Sequence, residues 1–150
     1  MQKTVHIYTD GGCKGNPGPG GWAALLVWGD HEKELTGFHP DTTNNRMELQ
    51  GAIEGIRAVK KPSHIHLFTD SIYVKKGITE WVSVWEKNGW KTANKKPVKN
   101  EDLWKELTTL ARQHTIEWFW IKGHNGHPEN ERVDALLQQT IKTHIEKPGA

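Results

Sequence analysis

Val5, Ile7 and Thr9 alternate with His6, Tyr8 and Asp10, so residues 4–10 read as a strand with two unlike faces. The glycine- and proline-dense run from Gly11 to Gly21 predicts a turn and loop. Trp22–Trp28 and Glu34–Phe38 follow as two strands joined at Gly29-Asp30, giving three antiparallel strands at the start of the chain. The period then changes. Leu49, Ala52, Ile53, Ile56 and Val59 recur at helical spacing and predict an amphipathic helix over 44–60, ending before Pro62. Ile65–Asp70 reads as a short buried strand; the intervening helix supplies a crossover, so parallel pairing is expected. Short helices are predicted around 71–87 and 101–112, and a strand over His114–Ile121. A last helix starts at Pro128, with Val133, Leu136, Leu137 and Ile141 as its apolar positions. The order β-β-β-α-β-α-α-β-α describes an α/β fold: one mixed sheet with helices packed against it.

A chain of 150 residues suits a single domain with a real core, and 25% charged with 35% hydrophobic residues places it among globular proteins. A net charge of +2 says little about partners, because for polyanions the distribution of charge matters more than its sum. The lone Cys13 has no partner for an intramolecular disulfide and favours a reducing compartment. No apolar run reaches spanning length and the opening residues lead straight into a strand, so a cytoplasmic protein without a targeting segment is expected. The polar end after Ile145, with Pro148 and Gly149, is expected to fray.

Four carboxylates stand in distinctive contexts: Asp10 after Tyr8-Thr9, Glu48 in Asn44-Asn45-Arg46-Met47-Glu48, Asp70 after Phe68-Thr69, and Asp134 in Glu131-Arg132-Val133-Asp134. Each has an ordinary explanation. Aspartate favours strand ends, Asp70 could cap a helix starting at Ser71, Asn45-x-x-Glu48 fits a capping box, and a helical Asp134 could simply be solvated. Together they say more. Parallel pairing would bring Asp10 and Asp70 out at one sheet edge, and Glu48 and Asp134 lie on the flanks of stripes that face the sheet. Acids gathered in this way repel one another unless cations hold them, and hard divalent ions with oxygen ligands perform phosphoryl chemistry. A metal-dependent nuclease is the first reading.

His124, set between glycines in Gly123-His124-Asn125-Gly126, is placed as a mobile proton carrier just before the helix of Asp134. Lys87, Lys91, Lys95, Lys96 and Lys99 surround Trp90 with no acid from 87 to 100. A lysine run is most often a solvated face, but interleaved with aromatics it fits a grip on a nucleic-acid backbone.

These residues resemble type 1 ribonuclease H in its bacterial form with a basic protrusion. The matching stretches are Tyr8–Gly21, Thr42–Leu49, Thr69–Ser71, Asn88–Asn100 and Lys122–Asp134, with Lys122-Gly123-His124-x-Gly126-His127-Pro128-Glu129-Asn130-Glu131-Arg132 especially specific. The resemblance implies a five-stranded sheet, three antiparallel strands then two parallel, with helices on both faces. It implies one domain over 1–150, with the protrusion at about 81–100. The activity implied is endonucleolytic hydrolysis of the RNA strand of RNA–DNA hybrids, leaving 5′-phosphate and 3′-hydroxyl ends. Asp10, Glu48, Asp70 and Asp134 would hold two Mg²⁺ or Mn²⁺ ions, Asp10 bridging them, and His124 would assist proton transfer or product release. Cys13, Gly15, Asn16, Asn44 and Asn45 match the family's RNA contacts; Tyr73 and Trp81 match its DNA channel, and Thr43 and Asn100 its DNA phosphate pocket. A monomer without an obligatory protein partner is expected.

Three positions depart from the family pattern. Ile72 replaces a glutamine that touches the minor groove, Asp41 replaces an arginine two residues before the pocket threonine, and Leu137 replaces an alanine. A carboxylate at 41 would repel phosphate. Two other kinds of function fit parts of the pattern: a hybrid-binding module without chemistry and a scaffolding domain. Loss of an acid would have favoured the former, and the latter leaves the clustered acids unexplained. Within nucleases, junction resolvases and transposase-type domains share such acids, but the Thr43–Glu48 run and the Trp-rich basic block argue against them.

Overall fold

Strand β1 (Val5–Cys13) is the spine of the fold, pairing antiparallel with β2 (Gly18–Trp28) on one side and parallel with β4 (His64–Thr69) on the other. The computed structural model describes residues 4–122 and 127–146. Strand β3 (His31–Thr42) pairs with β2 through the turn at Gly29-Asp30, and β5 (Thr115–Trp120) pairs in parallel with β4. The sheet order is β3-β2-β1-β4-β5. Three antiparallel strands and two parallel ones make the five-stranded mixed sheet that the sequence predicts.

The expected loop over Gly11–Gly21 is mostly strand. Gly11, Gly12 and Cys13 pair with Trp22, Gly21 and Gly20, so only residues 14–17 connect the two strands. Glycine's weak strand propensity hid this, because the ladder is fixed here by register rather than by side chains. Asp10 therefore lies inside β1 rather than at its end. Strand β3 likewise extends beyond the expected 34–38 at both ends.

Helix α1 (Asn44–Arg57) crosses from β3 to β4 on one face of the sheet. Its N-cap is Thr43, whose hydroxyl accepts from the Arg46 N–H, so the capping-box reading of Asn45 and Glu48 is not realised. The helix stops at Arg57, three residues short of the expected end. Leu49, Ala52, Ile53 and Ile56 pack on Ile7, Ile65 and Leu67 to form the main core. The predicted helix over 71–87 comprises α2 (Ile72–Lys76), a wide π turn at Gly77–Trp81, and α3 (Val82–Lys87). The distortion falls where Trp104 of α4 (Glu101–Ala111) abuts the backbone: a Cβ on Gly77 would lie 1.8 Å from the indole. Only glycine admits that contact.

On the other face, α5 (Pro128–Glu146) sets Val133, Leu137 and Ile141 on Tyr8, Ala23 and Leu25. Leu137, a departure from the family's alanine, is thus an ordinary core residue. Arg132 ties this helix to β3 through Glu32 and Glu34. The helix extends through Ile145 to Glu146; the rest of the expected fraying end lies outside the described residues. Among the described residues, no helix is long and apolar enough to cross a membrane.

Candidate active site and nucleic-acid interface

The last pair shared by β1 and β4 is Thr9 with Thr69. Beyond it β4 ends, while β1 continues against β2 alone. Asp10 and Asp70 are the next residues on the two strands, so both emerge where the sheet opens, as parallel pairing predicts. Asp70 does not cap the following helix; Ser71 does, its hydroxyl accepting from the Val74 N–H at 3.1 Å.

Glu48 arrives from α1 through a close backbone contact. A Cβ on Gly11 would stand 2.3 Å from the Met47 carbonyl carbon, so the bare glycine lets the first turn of α1 lie directly on β1. The Ser71 hydroxyl donates to the Glu48 carboxylate and orients it toward the strand ends. Asp134 comes from the second turn of α5. All four acids line one cleft of about 350 Å³, together with Gly12, Cys13 and Asn44.

The electrostatics are those of crowded acids. Asp10 is only 8% exposed and accepts from the Gly11 N–H at 2.9 Å. Burial pushes its carboxyl up to about 8, with further upward pressure from the charges of Asp70 and Asp134. Burial likewise raises Glu48 to about 7, against the downward pull of the Ser71 hydrogen bond. Among the described residues, no lysine or arginine forms a salt bridge with Asp10, Glu48 or Asp134. Four carboxylates at this density, one buried and three half-buried, offer oxygen donors that fit hard divalent cations.

Beside the acids runs a polar ledge. The Cys13 N–H donates to Asn44 Oδ1 at 2.8 Å, and the Asn44 N–H donates to Asn16 Oδ1 at 3.2 Å. Gly15 takes the Cys13 thiol at its carbonyl, 2.8 Å away. Four of the five residues matched to RNA contacts are thus one hydrogen-bonded unit, and Asn45 follows on the first turn of α1.

The residues matched to DNA contacts also come together. Asn100 adopts a left-handed backbone (φ 61°) before α4, donates to Tyr73 Oη at 3.1 Å and accepts from Arg46 at 3.1 Å. Tyr73 meets Trp81 edge-on, 5.7 Å between centroids. Thr43 sits one turn before Arg46 as its cap. Arg46 itself escaped sequence reading: its guanidinium grips Asp102 through two hydrogen bonds, of 3.1 and 2.8 Å, 56 residues away. Ser71 was read only as a helix start, and its bond to Glu48 had no local signal. Ile72 is 54% exposed, two residues beyond Asp70.

The basic block is an ordered loop between α3 and α4. Trp90 and the buried Val98 anchor it through a Val98 N–H to Trp90 carbonyl bond, and Lys91 bridges to Pro97. Lys87, Lys91, Lys95, Lys96 and Lys99 are all exposed, so the anchors point inward and the charges outward. At the start of the expected protrusion, Trp81 closes the π turn and Val82–Lys87 form α3. His124 lies outside the described residues.

A family model described as RNase H matches residues 2–142. The chain is 59% identical over 141 residues to the ribonuclease H of Dechloromonas aromatica, spanning 94% of this chain and 95% of that protein. It is 56% identical over 147 residues to the ribonuclease H of Nitrosococcus oceani, covering 98% of this chain and 100% of the relative. Among solved structures, LC9-RNase H1, described as a type 1 RNase H with the type 2 active-site motif, superposes with a TM-score of 0.86. It shares 32% identity, over 95% of this chain and 74% of that one.

Proposed function

The chain belongs to the ribonuclease H family, and from that premise we propose that it cuts the RNA strand of RNA–DNA hybrids endonucleolytically, leaving 5′-phosphate and 3′-hydroxyl ends. The observation that carries this reading is the convergence of Asp10, Glu48, Asp70 and Asp134 on one cleft beside the Cys13–Asn16–Asn44 ledge. A neighbour of the same fold, LC11-RNase H1, was solved in complex with an RNA/DNA hybrid (TM-score 0.72, 18% identity).

The four carboxylates would hold two divalent cations, Mg²⁺ or Mn²⁺, which when bound supply Lewis-acid activation of water and stabilise charge at the departing 3′ oxygen. The protein's own groups do the rest. The Gly11 N–H and the Ser71 hydroxyl fix the orientations of Asp10 and Glu48, so the donors are set before substrate arrives. The ledge presents amide and backbone groups of the kind that read the 2′-hydroxyl in a shallow minor groove, which distinguishes RNA from DNA. Tyr73 and Trp81 offer aromatic surface to the DNA strand, while Thr43 and Asn100 offer hydrogen bonds to one of its phosphates. The exposed lysines hold the hybrid by its backbone. His124 takes the proton-transfer role. A cytoplasmic monomer completes the reading.

The test is an end-labelled RNA–DNA hybrid incubated with the protein in Mg²⁺, in Mn²⁺ and in chelator, beside single-stranded RNA, RNA duplex and DNA duplex. Metal-dependent cuts confined to the RNA of the hybrid are expected, with ends that a 5′-phosphate-specific exonuclease accepts. Hybrid binding without cleavage would point instead to a binding module.

A further inference from the structure

Helix α5 packs on β1, β2 and β3. On the same side of the sheet, β4 and β5 carry a cluster that the catalytic reading does not use. His64 and His66 are two apart on β4 and so point the same way, and Glu117 on β5 is the register partner of His66. The Nε2 atoms of both rings lie 2.7 Å from one oxygen, Glu117 Oε2. The three donor atoms lie within 4.8 Å of one another.

The rings are held rather than loose. His6, the partner of His66 across β1, stacks on it at 5.3 Å between centroids. Phe119 meets the same imidazole at 5.1 Å, and His64 stands edge-on to it, also at 5.1 Å.

We propose that His64, His66 and Glu117 form a second metal site, for a borderline divalent transition ion of the Zn²⁺ class, distinct from the carboxylate cleft and tying the edge strand β5 to β4. Two imidazoles and one carboxylate are a donor set that suits Zn²⁺, Ni²⁺ or Cu²⁺, whereas Mg²⁺ prefers oxygen alone. Three protein ligands leave a position for water. Around a tetrahedral ion with bonds of about 2.0–2.1 Å, ligand atoms stand roughly 3.3–3.4 Å apart. The present 2.7 Å contacts need only a small outward swing, which these partly exposed side chains allow. Binding requires both Nε2 atoms free of protons, so an imidazolium releases its proton and a neutral ring carries its hydrogen on Nδ1. Among the described residues β5 pairs with β4 alone, so an ion across this pair adds a link at the sheet edge to the backbone ladder and to the packing of Ile116, Trp118 and Phe119.

The site is tested on the chelator-treated, dialysed 150-residue chain titrated with ZnCl₂ and, separately, MgCl₂. Imidazole ring resonances are followed by NMR and the melting temperature is recorded. One equivalent of Zn²⁺ should move the ring signals of His64 and His66 and raise the melting temperature; Mg²⁺ should leave those rings alone. Glu117→Gln should weaken Zn²⁺ affinity by about tenfold or more, at least the loss typical of an outer-shell partner. His64→Gln with His66→Gln should abolish it. Both variants should cleave the hybrid in Mg²⁺ like the wild type. Unmoved His64 and His66 signals in the wild type, or unchanged affinity in Glu117→Gln, would overturn the proposal even if the double variant fails to fold.

Discussion

Ser71 holds Glu48 from a position 23 residues away, while the same hydroxyl caps α2 by accepting from the Val74 N–H. One side chain thus ends a strand-to-helix turn and orients one of the four acids of the cleft. Ser71→Ala should cost about 1 kcal/mol of stability through the lost cap. Because this hydrogen bond pulls the Glu48 carboxyl downward, its loss raises that group further and moves the acidic limb of the cleavage profile to higher pH. Rates measured from pH 6 to 9 would show the displacement, and Ser71→Thr, which keeps the hydroxyl, should restore the profile. An unshifted limb in the alanine variant would remove Ser71 from the site.

The crowding of Asp10 has a consequence for the metal-free protein. Its carboxyl stands at about 8 and that of Glu48 at about 7, both above their unfolded values. Groups raised in this way bind more protons when folded, so their contribution is fully present below the unfolded values and is lost as pH rises through the folded ones. In chelator, the melting temperature should therefore fall between about pH 5 and pH 8. Asp10→Asn should abolish cleavage, flatten that fall and raise stability at pH 8 by on the order of 2 kcal/mol. Saturating Mg²⁺ should reverse the loss in the wild type. A variant that melts with the same pH dependence as the wild type would show that Asp10 is not the strained group.

What the chain discloses in advance depends on how local each cause is. Alternation at Val5–Asp10 and the helical stripe from Leu49 to Ile56 fix which faces are buried, so the crossover and the meeting of Asp10 with Asp70 are readable from residues alone. Caps were harder: Thr43, Asn44 and Asn45 all suit an N-terminus, and so do Asp70 and Ser71, and only the geometry chooses Thr43 and Ser71. The strand through Gly11–Cys13 was hidden because glycines carry no alternation. Contacts such as Arg46 with Asp102, or Glu117 with two histidines, depend on register and on the packing of distant helices. No window of sequence contains them.

The exposed lysines of the ordered loop make a quantitative claim about salt. Lys95→Ala, Lys96→Ala and Lys99→Ala combined should weaken hybrid binding most at low ionic strength, because each lysine that meets a phosphate releases counterions on binding. If all three do so, the slope of log affinity against log salt should become shallower by roughly two to three. The loop itself should persist, since Trp90 and Val98 anchor it and the lysines do not. Anisotropy titrations at several salt concentrations measure the slope; an unchanged slope returns these lysines to the role of a solvated face.

Charge around the residues matched to DNA contacts can also be changed in the opposite direction. Arg46 reaches Asn100, but its guanidinium is shared with Asp102, so much of its charge is already answered within the protein. Asp41 is exposed and lies two residues before Thr43, adding a negative charge to a surface matched to phosphate binding. Asp41→Arg changes that local charge by two units. Exposed charges act over about 8–10 Å at moderate salt, enough to be felt at a neighbouring phosphate. Hybrid affinity at low salt should rise about three- to tenfold, the advantage should shrink as salt is added, and Asp41→Asn should give an intermediate value. Measured in an Asp10→Asn background, binding is separated from cleavage; in the active protein the gain should appear in KM with kcat unchanged. If Asp41→Arg binds no more tightly than the parent at low salt, the phosphate does not lie beside Thr43, and the DNA strand follows another path across this face.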